Sequence, residues 1–188
     1  MSAALVVLFG PSACSVEERP ADGSEVVSAS VPGGAGVGGD RVSAVPREGA
    51  TGSQADSVLA VVQAVFDGIN QGDGSLIMDA FLADGRVGAI RRPGAPVSAS
   101  TAQGMAAQIQ EASADYVERM WNPVVEVSGS LASVWAPYDF YIDGEFSHCG
   151  VDLFQLVRGD SGWKIRDLVY TVLQPPACEM HPEGPPAG

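Results

Sequence analysis

Two runs rich in Val and aromatic residues meet at Asp143-Gly144, the preferred dipeptide for a two-residue type I′ hairpin turn. Such a turn dictates how its strands pair. With Ile142 facing Glu145, the register predicts Tyr141 opposite Phe146, Asp139 opposite His148, and Trp135 opposite Asp152. Strand side chains alternate between faces, so these six residues are expected on one face. The other face is expected to hold Phe140 with Ser147, Tyr138 with Cys149, Ala136 with Val151 and Val134 with Leu153. A carboxylate opposite an imidazole can orient one ring nitrogen while the other points at a ligand, which is a general-base arrangement. Asp139 favours the imidazolium and desolvation opposes it, leaving a group able to exchange protons near neutral pH. The same pair is equally an Asp-His contact in a half-buried sheet, contributing about 0.2 to 1 kcal/mol. The expected catalytic set is His148 as base, Asp139 as its orienting group and Tyr141 as hydrogen-bond donor to a carbonyl. The expected ligand-binding set is Trp135, Asp139, Tyr141, Phe146, His148 and Asp152.

Helices are expected ahead of this hairpin. Val58, Leu59, Val61, Val62, Val65, Phe66 and Ile69 recur with helical spacing, and Ser53 and Asp56 are available at the start. The run Asn70-Gln71-Gly72-Asp73-Gly74 breaks that helix. Leu76, Ile77, Ala80 and Phe81 predict a shorter helix that Asp84-Gly85 ends, Arg86 to Arg92 a short strand, and Thr101 the cap of a third helix through Met105, Ile109 and Ala112. After Tyr116 the chain turns Val-rich and aromatic, which predicts antiparallel strands at 116–128, 131–142, 145–158 and 163–173. Helices followed by a meander of long strands describe an α+β domain with helices on one face of a curved sheet.

Two groups of residues carry a family resemblance. Phe81-Leu82-Ala83-Asp84-Gly85 precedes the first strand, and Gly162-Trp163-Lys164-Ile165 opens the last. In that element order the chain resembles the nuclear transport factor 2-like superfamily. Val134-Trp135-Ala136-Pro137-Tyr138-Asp139-Phe140-Tyr141, followed by Phe146-Ser147-His148-Cys149-Gly150-Val151-Asp152, is similar to the branch labelled putative lumazine-binding, and also to SnoaL-like and ketosteroid isomerase-like domains. The resemblance implies a cone-shaped α+β fold with three N-terminal helices packed on a curved, mainly antiparallel sheet. It also implies a pocket between sheet and helices and often a homodimer through the sheet. It does not imply lumazine, because the superfamily mixes isomerases, cyclases, dehydratases and pure binders.

The remainder bears on compartment and partners. Residues 1–14 read as signal-like: Ala3 to Gly10 is apolar, too short to span a bilayer, and ends in Pro11-Ser12-Ala13-Cys14, which resembles a lipobox and makes Cys14 the expected lipidation site. Residues 15–52 read as a disordered linker, 53–178 as the folded domain, and 179–188 as a disordered tail. Gly34-Ala35-Gly36-Val37-Gly38-Gly39 matches a dinucleotide pattern by composition, but no helix follows it. In an exported chain Cys149 and Cys178 are expected either as a disulfide fastening the tail or as two separate thiols. Only two histidines exist, one of them in the tail, so no metal site and no cofactor is expected. A formal charge of −13 argues against nucleic acid as a partner. The leading expectation is an exported or lipid-tethered binder of a small apolar or aromatic molecule. The alternatives are an acid-base enzyme (isomerase, dehydratase or cyclase) acting on a cyclic carbonyl compound, and a self-associating envelope interaction module.

Overall fold

The computed structural model describes residues 52–92 and 94–186. The expected signal segment, Cys14 and nearly all of the expected linker lie outside the described residues. Helix α1 (Ser53–Gln71) buries Val58, Val62, Val65, Phe66 and Ile69, the stripe expected from their spacing. It ends where Gly72 adopts φ 65°, a left-handed conformation that costs glycine little. Asp73 caps α2 (Gly74–Ala80), its carboxylate accepting from the Ser75 N–H. α2 stops at Ala80, because Phe81 is already extended and opens β1 (Phe81–Ile90). A short strand that the sequence reading missed, β2 (Ser98–Thr101), leads into α3 (Ala102–Glu111), which Thr101 caps by accepting from the Gly104 N–H.

The strands that follow are β3 (Tyr116–Met120), β4 (Val124–Ser128), β5 (Leu131–Ile142), β6 (Glu145–Gly159) and β7 (Gly162–Thr171). One strand was expected over 116–128. The chain makes two, separated by Trp121-Asn122-Pro123 with Asn122 at φ 46°, and both pair with the long β5. The sheet runs β2-β1-β7-β6-β5-β3, with β4 also on β5, and only the β1–β7 pair is parallel. α1 lies against β3, β4 and β7, while α3 packs on α2 and β1. The result is the expected α+β cone: helices over the inner face of a curved sheet, with Phe66 against Phe154 at 6.2 Å in the core.

The β5–β6 hairpin departs from the expected register, and its core explains why. Asp143 (φ 50°) and Gly144 (φ 79°) make the tight turn, and Ile142 pairs with Glu145 and Tyr141 with Phe146. The pairing then shifts by one residue, to Phe140 with His148, Asp139 with Cys149, Tyr138 with Gly150, Ala136 with Asp152 and Val134 with Phe154. Ser147 is the extra residue, a β-bulge. Val134, Ala136 and Tyr138 on β5, and Phe154 and Leu156 on β6, are all buried beneath the helices. The unshifted register would turn the two β6 residues outward. Losing one ladder step at Ser147 costs less than exposing those side chains, so the core overrides the turn.

Candidate functional site

The inner face of the sheet and the helices enclose a cavity of about 150 Å³. Val65, Phe66 and Ile69 of α1 form one wall, Met105, Gln108 and Ile109 of α3 a second, and Phe140, Phe154, Leu168 and Tyr170 of the sheet a third. Among these apolar and aromatic groups converge two carboxyls, Glu118 and Asp152, and the imidazole of His148.

Each polar group is delivered by strand alternation. Asp152 is only 3% exposed and lies between Ala136 on β5 and Tyr170 on β7. Its carboxyl is held well above the usual carboxylate range, first by burial and then by the negative charge of Glu118. Glu118 belongs to β3, an edge strand whose outward backbone groups need partners, and pairs with Phe140 of β5. Asn70 of α1 supplies them: its Nδ2 donates to the Glu118 carbonyl at 3.0 Å, and its Oδ1 accepts from the Glu118 N–H at 2.7 Å. This clamp sets where the Glu118 side chain enters the cavity. Burial, with a smaller contribution from the Asp139 charge, pushes its carboxyl up to about 8. Glu118 is therefore largely protonated at neutral pH and able to donate, and the Asp152 carboxyl is shifted in the same direction.

His148 lies with its ring 5.0 Å from that of Phe140 and edge-on to Tyr138 at 5.7 Å. Its Nδ1 is 3.0 Å from the Ser147 hydroxyl on the bulge, which leaves Nε2 for a ligand. Burial, and then the positive charge of Arg91, hold the imidazole below its ordinary pKa, so it is uncharged at neutral pH. Opposite Tyr138 stands Gly150, where a Cβ would meet the Thr171 carbonyl oxygen at 2.1 Å. With no side chain in the way, the Tyr138 hydroxyl donates to that same carbonyl at 2.7 Å and is committed to holding the sheet.

The bulge separates the expected site residues. His148 and Asp152 line the cavity, whereas Asp139, Tyr141, Trp135 and Phe146 do not. Asp139 pairs with Cys149, not His148, and belongs to the outer face. There it is completely buried and accepts from Arg119 Nε at 3.0 Å, from Arg119 Nη2 at 2.6 Å and from the backbone N–H of His181 at 3.0 Å. It cannot orient the His148 ring. Tyr141 packs edge-on against Phe146 at 5.6 Å, with its hydroxyl buried and without a hydrogen-bond partner among the described residues. Trp135, opposite Leu153, is 52% exposed. Glu118 and Tyr170 were not anticipated as site residues. The signal for Glu118 was a lone acid flanked at two-residue spacing by Tyr116 and Met120.

Of the expected tail, residues 179–186 are described, and His181 and Gly184 lie against the outer face. Cys178 is joined to Cys149 with a Cα–Cα distance of 5.8 Å, the Gly184 carbonyl accepts from Arg119 Nη2 at 2.8 Å, and the His181 ring meets Trp121 edge-on at 5.4 Å. Among the described residues, no group of three His, Cys, Asp or Glu side chains is assembled that could hold a metal ion.

Glu118 makes stability depend on pH. Between about 4.5 and 8 its native carboxyl keeps a proton that the unfolded chain has lost, so its contribution is complete below 4.5 and falls away as pH rises to 8. A melting temperature that drops by on the order of 5 °C across this window is expected, with Glu118→Gln reducing the drop. Parallel melting curves for the two proteins at all pH values would contradict this.

A family model described as putative lumazine-binding matches residues 53–171. No curated protein matches the chain. Among solved structures, one similar chain is a nuclear transport factor 2-like protein with a cystatin-like fold from Novosphingobium aromaticivorans, at 14% identity and TM-score 0.55 over 66% of this chain and 84% of that one. A putative aromatic ring hydroxylase from the same organism matches at 15% identity and TM-score 0.52, over 65% and 90%. A putative dehydratase of the nuclear transport factor 2-like family from Streptomyces avermitilis matches at 17% identity and TM-score 0.50, over 63% and 95%. At such identities the likeness establishes the fold.

Proposed function

Because this chain belongs to the putative lumazine-binding family of nuclear transport factor 2-like domains, we propose that it binds a small ring compound bearing hydrogen-bond acceptors. One observation carries the reading: a cavity with aromatic and aliphatic walls in which two carboxyls shifted toward their protonated forms and a neutral imidazole converge. Ligand sites are mostly apolar, with a few convergent polar groups that fix orientation. Glu118 and Asp152 are suited to donate to carbonyl or ring-nitrogen acceptors, and His148 Nε2 to make the third polar contact. Phe140, Phe154 and Tyr170 offer faces and edges for a flat ring. The apolar run Ala3 to Gly10 ahead of Cys14 supports export, with or without a lipid anchor, as the setting.

Acid-base catalysis on a cyclic carbonyl compound is the second reading, favoured by a carboxyl near 8 in contact with the cavity. In that case Glu118, not Asp139, moves the proton, and Asp152 donates to the developing oxyanion.

Native mass spectrometry of protein purified from its own host tests the binding reading. A retained small molecule is expected on the wild type and is expected to be lost from His148→Ala with the fold intact. A bare mass on both proteins, together with no response of cavity resonances to small aromatic compounds, would remove it.

A further inference from the structure

Four of the arginines described in the fold have company. Arg86 pairs with Asp167 at 2.7 Å, Arg119 with Asp139 at 2.6 Å and Arg166 with Asp84 at 2.8 Å, while Arg158 sits over the Trp163 ring at 6.0 Å. Arg91 and Arg92 are different. Both are exposed and have no ion-pair partner among the described residues, although the chain carries a formal charge of −13 and carboxylates are plentiful; of the two, Arg91 is the one whose register leads toward the cavity. A solvated surface arginine is ordinary; its address is what matters.

On β1, Ala89 pairs with Tyr170 and Ile90 with Thr171, and the Val172 N–H donates to the Ile90 carbonyl. Phe81, Val87 and Ala89 are the buried hydrophobic residues of β1, and Val87 and Ala89 pair with the cavity-lining Leu168 and Tyr170. Arg91 directly follows the last strand residue, Ile90, and strand alternation continued two positions on from Ala89 points it to that same side, at the exposed rim and not among the residues that line the cavity. Across the sheet from Ala89 lie Tyr170 and then Asp152, both on the cavity wall. The next row passes from β1 through Val172 to Gly150, which itself presents no side chain beside Tyr138. In keeping with this address, the Arg91 charge acts on His148, Tyr138 and Tyr170, after burial in each case.

We propose that Arg91 recognises a carboxylate on the ligand, so that the cavity takes a small aromatic or cyclic carboxylic acid with its ring inward and its anionic group at Arg91. This inference rests on the binding reading above and names the class of compound. A planar guanidinium fork matches a planar carboxylate in a bidentate pair. A phosphate dianion would call for more donors than one arginine supplies. The shift of both inner acids toward their neutral forms lowers their repulsion of such a guest, and an unpaired cation offsets the repulsion of an otherwise strongly acidic protein.

Benzoate and benzamide are nearly equal in size and differ in charge, which makes them suitable probes. Both are titrated at about pH 6, where benzoate is ionised, with binding followed by calorimetry and by the resonances of His148 and Tyr170. The wild type is expected to favour benzoate by roughly tenfold. Arg91→Gln is expected to erase that preference, Arg91→Lys to keep part of it, and Arg92→Gln, the same charge change one residue away, to leave it in place. Arg91 is exposed, so an unchanged melting temperature accompanies these results. Equal affinities in the wild type, a preference that survives Arg91→Gln, or equal loss in Arg92→Gln would each overturn the inference while leaving the cavity as a binding site. If neither probe disturbs the cavity resonances, the binding reading fails and this one with it.

Discussion

Asp139→Ala is expected to lower the unfolding free energy by about 3 to 5 kcal/mol, the cost of leaving one partner of a buried ion pair without the other. Asp139 is completely buried and Arg119 largely so, and the two are joined by two hydrogen bonds at 3.0 and 2.6 Å. Removing the carboxylate strands the guanidinium and orphans the His181 N–H. Asp139→Asn keeps one acceptor for these donors but removes the charge, and is expected to fall between wild type and Asp139→Ala. Urea denaturation with an unchanged slope measures the difference. The variant also separates two roles. A residue that oriented His148 would abolish ligand retention when truncated, whereas Asp139 on the outer face is expected to leave retention unchanged in the folded fraction. A loss smaller than about 1 kcal/mol would mean that the ion pair is not buried in solution.

Cys178→Ser is expected to cost about 3 to 4 kcal/mol, the loop-closure entropy for cysteines 29 residues apart. The mass gain of two hydrogens on reduction identifies the bond before the variant is made. The consequence reaches beyond chain entropy, because the tail that follows Cys178 supplies both the His181 N–H to Asp139 and the Gly184 carbonyl to Arg119. Releasing it also moves His181 away from Trp121, so Trp121 fluorescence is expected to change in the variant. The two substitutions share these partners, and their double mutant is expected to lose less than the two single losses added together. Full additivity, or a tail whose amide exchange is no faster in Cys178→Ser, would show that the disulfide and the ion pair are independent.

Much of the architecture was legible from local patterns, for reasons that are local themselves. The apolar spacing of Val58, Val62, Val65, Phe66 and Ile69 allows one buried face and no other. Asp143-Gly144 demands two positive φ angles and obtains them. The site was only half legible. His148 and Asp152 line the cavity although the expected register pairs them with the wrong residues, and Glu118 is not legible because nothing local distinguishes an edge-strand acid in a cavity from one in water.

What the chain determined by itself was the set of elements and the turn between β5 and β6, because propensity, capping and turn chemistry act over a few residues. The face that each side chain of that hairpin occupies was settled by packing between the assembled layers. A turn sets register for its nearest pairs, but the burial of Val134, Phe154 and Leu156 against the helices is a property of the assembled layers. That larger energy inserted Ser147 as a bulge, sent Asp139 outward to Arg119 and brought His148 alongside Asp152 and Glu118.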